Sequence, residues 1–151
     1  MSRLRLPSGD DHLEAARRHL DDALALHGAT RPDGAAYLAG YVVECSLKTL
    51  LLYEMGATIT SAPRPWSGRD GHDLKVLAGQ ASSAAALAGA KTARYMGSAV
   101  TGFSSAPIAG WSAELRYRAP SVTQDVASAW LVNAQAIYDQ TVGQMLLDGV
   151  L

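Results

Sequence analysis

One cysteine, one phenylalanine and a net charge of −1 over 151 residues set the first limits on this chain. With Cys45 alone, no internal disulfide can form, and no Cys/His grouping has the spacing of a zinc site. Thirteen basic residues against fourteen acidic ones leave no overall attraction for nucleic acid, although a local basic patch remains open. No apolar run reads as a membrane span, and MSRLRLPSGDD lacks the apolar stretch of a signal peptide. There is no alternating strand pattern and no internal repeat. What remains reads as a soluble, cytoplasmic, all-α domain. Its hydrophobic share of 48% and charged share of 18% are those of a packed core and not of a disordered chain.

Helical periodicity divides the chain. Residues 10–27 form a first helix, with Asp11 and Glu14 at capping-box spacing and Leu13, Ala16, Leu20, Leu24 and His27 on one face. A second runs from Gly34 to Met55, with Asp33 as its cap and Gly56 as its stop. The Pro- and Gly-rich connection GATITSAPRPWSGRDG is longer than an ordinary turn, and Arg64, Trp66 and Arg69 make it basic and aromatic. A third helix starts at His72-Asp73-Leu74 and turns Leu74, Leu77 and Leu87 inward. Residues 81–110 have helical propensity interrupted by glycines and are assigned as helix. A last helix follows Pro120, with Ser121 and Gln124 as a capping box and a face of Val126, Trp130, Ala134, Ile137, Tyr138, Val142 and Met145.

Within the second helix, GYVVECSLKTLLL sets Glu44 and Lys48 four residues apart, on one face, in the favourable order. The apolar residues surround this helix instead of forming one stripe, so the pair lies in a helix packed on several sides. It is either a register-fixing ion pair or part of a polar site. Buried charges need partners first, which favours the ion pair. Arg116-Tyr117-Arg118 precedes the last helix and could meet Glu44. Two arginines exceed what one carboxylate requires and could grip phosphate. His72, at a helix start, is either a local hydrogen-bonding residue or an acid–base group. His12, His19 and His27 share the first helix without a ligand set around them, Cys45 reads as core, and Trp130, Tyr138 and Met145 read as core or dimer interface.

Taken in order, AAYLAGYVVECSLKTLLLYEMG, GHDLKVL and WSAELRYRAPSVTQDVASAW resemble the HEPN domain family, over about residues 10–148. The resemblance implies a four- to five-helix up-down bundle, usually dimeric, with no cofactor or metal. Family members include metal-independent ribonucleases of toxin–antitoxin and defence systems, and others accompany nucleotidyltransferases. The ribonuclease motif, an Arg with four to six residues and then a His near the final helix, does not transfer, because no histidine follows His72. The leading expectation is therefore a non-catalytic module that binds a protein partner, a nucleotidyltransferase being one candidate, or a nucleotide or RNA. Glu44, Lys48, Arg116, Tyr117 and Arg118 would form its ligand site. The alternative is a metal-independent endoribonuclease with His72 as acid–base and Arg69, Arg116 or Arg118 stabilising the transferred charge. A purely structural interaction domain is a third reading.

Overall fold

The computed structural model describes residues 4–56, 66 and 68–151, with the backbone alone of residues 68 and 69. Helix α1 covers His12–Gly28 and α2 covers Pro32–Met55. Helix α3 is Leu74–Ala85, α4 is the single turn Ser98–Thr101, α5 is Gln124–Tyr138, and α6 is Gln144–Leu147. Among the described residues there is no strand, so the chain is an all-α bundle.

Helix α2 is the central rod. Fifteen of its residues are buried, from Ala35 to Leu52, because α1, α3 and α5 all pack against it. Each buried leucine or valine there contributes about 1.5–3 kcal/mol over an exposed one. Its length and composition would also suffice to cross a membrane, contrary to the reading of the sequence. However, 83% of its most apolar window is covered by the rest of the protein, which accounts for that composition.

Several boundaries move for identifiable reasons. Asp11 caps α1 by accepting the Glu14 amide at 3.3 Å, as the spacing predicts. Asp33 does not cap α2: it lies in the first turn, after Pro32, and its carboxylate accepts the amides of Ser121 and Val122 at 2.8 and 3.0 Å. Those two amides hold the Asp33 carboxyl below the usual range. The contact also takes Ser121 out of the capping role, and Thr123 caps α5 instead, through Val126 N at 3.3 Å. The α5 stripe is accordingly Ala127, Leu131, Ala134 and Ile137, with Val126 outside and Trp130 half-buried. Leu24 and Leu87 are likewise exposed, not inward.

The helix expected over 81–110 ends at Ala85. Beyond it the chain makes short turns at Ala93–Tyr95, Ser98–Thr101, Phe103–Ser105 and Pro107–Gly110. Gly89, Gly97, Gly102 and Pro107 interrupt any longer ladder. Tertiary contacts hold this stretch: Tyr95, Val100, Phe103 and Ile108 are buried, and Glu54 of α2 accepts the Thr92 hydroxyl and the Lys91 and Thr92 amides. Burial alone would raise the Glu54 carboxyl, but these three donors outweigh it and hold it low.

The short α1–α2 turn carries Thr30 at φ 58°, a left-handed conformation that crowds a β-branched side chain. Thr30→Asn is expected to raise stability by about 0.5–1 kcal/mol, read as a Tm increase of roughly 2–4 °C for a domain of this size. An unchanged or lower Tm would show that the Thr30 side chain makes up for its backbone.

Candidate functional site

Tyr37, Tyr41, Glu44 and Lys48 stand at i, i+4, i+7 and i+11 on α2 and so share one helical face. Lys48 Nζ donates to Glu44 Oε1 at 2.7 Å, with the two residues 5% and 3% exposed. The ammonium also lies over the Trp66 ring, 5.2 Å from its centroid, and His12 meets the same indole edge-on at 5.4 Å. Lys48 is thus enclosed and does not reach outward along its stem.

The second wall is the start of α3. A 3₁₀ turn at Gly68–His72 delivers His72, and Asp73 then caps α3 by accepting the Lys75 and Val76 amides at 2.9 and 3.1 Å. This places His72 Nδ1 3.0 Å from Glu44 Oε2. A carboxylate already engaged by an ammonium can only accept, so Nδ1 carries the proton and Nε2 is the ring's remaining valence. Among the described residues Nε2 has no hydrogen-bond partner, and the side chain is 53% exposed.

The third wall is Trp111 and the 3₁₀ turn Ala113–Tyr117. The indole packs against Gly40 so closely that a Cβ there would overlap ring atoms, and Trp111 Nε1 donates to the Tyr37 carbonyl at 3.1 Å. Tyr41 is the hub between the walls. Its ring meets Trp111 at 5.2 Å, His19 at 5.6 Å and His72 at 6.5 Å, and its hydroxyl lies 3.2 Å from that of Tyr37. Burial, the Tyr37 hydrogen bond and the nearby Glu44 charge push the Tyr41 phenol well up, so it stays protonated. Burial likewise holds the His19 ring below its usual range, with Arg18 reinforcing the effect. It also pushes the Cys45 thiol up to about 12, which leaves a core thiol and not a nucleophile.

A cleft of about 450 Å³ opens between the second and third walls, lined by His72, Asp73, Lys75, Trp111, Glu114 and Arg116 among others. A larger hollow of about 650 Å³ follows the outer face of α1, away from Glu44 and His72. The hollow on α1 is also lined by charged residues, but the smaller cleft is the one that His72, the partner of Glu44, lines.

The expected meeting of Glu44 with Arg116 or Arg118 does not occur. Both Glu44 oxygens are taken, one by Lys48 and one by His72. Arg116 is exposed on the outer turn, in hydrogen-bonding range of the Tyr37 hydroxyl and 4.7 Å from the Tyr117 ring centroid. It therefore joins the site at its rim and not at its carboxylate. Tyr117 is 77% exposed and Arg118 is exposed, and neither lines the cleft. The Arg69 side chain and Arg64 lie outside the described residues. His19 stood out in the sequence only as one of three α1 histidines without a ligand set, and Tyr37, Tyr41, Lys75 and Trp111 were not singled out as site residues. For the two tyrosines, the shared stripe with Glu44 was the available signal. For the others no local signal exists.

No protein-family model, curated protein or solved structure matches this chain, so the geometry alone bears on what the cleft does.

Proposed function

We propose that the chain is a HEPN-like module whose cleft binds the phosphate of a nucleotide or of RNA. One observation carries the reading: the buried Glu44 orients His72 at 3.0 Å, and that half-exposed ring lines the same cleft as Arg116 and Lys75. A protonated imidazole, a planar guanidinium and an ammonium form a donor set suited to phosphate oxygens. Trp111 and Ser112 supply apolar and hydroxyl contacts for the rest of a ligand. The resemblance adds a homodimer and a nucleotidyltransferase partner to the proposal, along with the bundle's up-down topology and a cytoplasmic setting.

The test is binding of ATP and of a short fluorescent single-stranded RNA to the wild-type chain, His72→Ala and Arg116→Ala. Each substitution is expected to weaken binding by about tenfold or more, since a charged hydrogen bond contributes about 1.5–3 kcal/mol. Binding untouched by both would overturn the reading. Light scattering and co-purification examine the dimer and the protein partner.

The Glu44–His72 pair also favours a second reading, the metal-independent endoribonuclease. An oriented imidazole with an open Nε2 is the arrangement of a general base. His72 would take the proton of an RNA 2′-hydroxyl, that oxygen would bond to phosphorus, and the P–O5′ bond would break, leaving a 2′,3′-cyclic phosphate and a 5′-hydroxyl that takes its proton from water. Arg116 would stabilise the developing charge. Incubation with tRNA in the presence of a chelator decides: cleavage by wild type and none by His72→Ala would favour the enzyme over the binding module.

A further inference from the structure

One carboxylate serves two partners: Lys48 holds Glu44 Oε1 at 2.7 Å and His72 Nδ1 holds Oε2 at 3.0 Å. The two sides differ in their surroundings. Lys48 is buried under Trp66, and Glu44 is its one hydrogen-bond acceptor among the described residues. His72 faces the cleft. A buried carboxylate whose charge is not offset favours the protonated form of an imidazole bonded to it. An ammonium on its other oxygen weakens that preference.

We propose that Lys48 is a positioning residue of the cleft: it offsets the Glu44 charge from the core side, so that Glu44 orients His72 while favouring its protonated form less than an unpaired carboxylate would. Any consequence for ligand rests on the phosphate-binding reading above, whereas the charge offset is a property of the unliganded chain. Among the described residues, no other group around the ring substitutes for Lys48. Tyr41 of α2 is protonated, and His19 of α1 lies beyond it. Asp73 is bound to the α3 amides, and Asp70, Lys75, Glu114 and Arg116 are exposed to solvent.

The experiment reads the ring nitrogens of His72 by ¹⁵N NMR, without ligand, at a fixed pH where the wild-type ring is partly protonated. In Lys48→Met the imidazolium-to-imidazole ratio is expected to rise about tenfold or more, the effect of an uncompensated neighbouring charge. An unchanged ratio would overturn the proposal. Where Lys48→Met fails to fold, the paired variant Glu44→Gln/Lys48→Met decides, because it leaves no buried charge behind. Its ratio is expected to stay within about threefold of wild type, and a fall of tenfold would show that Lys48 does not cancel Glu44. ATP and RNA binding by the wild-type chain is measured separately. Loss of the phosphate reading would leave the nitrogen result standing, and the reverse also holds.

Discussion

Glu44→Ala is expected to cost about 3–5 kcal/mol, the largest effect of any single side-chain truncation near the cleft. The reason is the group left behind more than the group removed. Lys48 is 5% exposed and donates to Glu44, and Trp66 covers it. Without the carboxylate, an ammonium stays in the core with, among the described residues, an indole face alone to stabilise it. At the same time His72 loses the acceptor on Nδ1 and with it the orientation of its ring. Urea denaturation of Glu44→Ala, Lys48→Met and the paired variant Glu44→Gln/Lys48→Met measures this. The paired variant is expected to be far less destabilised than the sum of the single changes, because it buries no unpaired charge. Equal, additive losses would mean that water reaches Lys48 and that the pair is not enclosed.

Gly40→Ala is the second large effect, and it arises from a single methyl group. The Trp111 indole packs closely against Gly40, so an alanine Cβ would overlap ring atoms Cε2, Nε1 and Cδ2. Neither side yields cheaply. Gly40 is in the middle of α2, and Trp111 is itself buried and tied to the Tyr37 carbonyl through Nε1. Overpacking of a filled site costs about 1–3 kcal/mol, and here it also expels an aromatic ring and its hydrogen bond, for an expected total of about 3 kcal/mol or more. Expulsion of Trp111 removes one wall of the cleft, so ligand binding should fall with stability. A double-mutant cycle with Trp111→Leu tests the cause: once the indole is gone, Gly40→Ala should cost little or even stabilise a mid-helix position. A full cost in the Trp111→Leu background would place the strain elsewhere.

These two variants mark different degrees of legibility. The Glu44–Lys48 pair could be read directly from GYVVECSLKTLLL, because residues four apart on a helix are neighbours whatever the rest of the chain does. The same reasoning finds α1, α2, the Asp73 start of α3 and the existence of α5. It would also have placed Tyr37 and Tyr41 on the Glu44 face, had the stripe been followed in both directions. The reliance of Gly40 on Trp111 could not be read this way. A glycine inside a helix signals only a weak point until the residue packed over it is known.

Local order along the chain therefore determined the helical class, the long central rod with charges inside it, and the histidine at a helix start. Periodicity describes the face of one element, so it could establish that Glu44 is buried but not what it is buried against. Tertiary structure decided that. Packing of α3 on α2 brought His72 to a carboxylate 28 positions away, and the outer turn carried Arg116 only as far as the Tyr37 hydroxyl. It also decided the course of residues 86–110, where Gly89, Gly97, Gly102 and Pro107 leave the backbone without a strong local preference. There, Glu54 and the buried rings of Tyr95 and Phe103 select the path that local propensity left open.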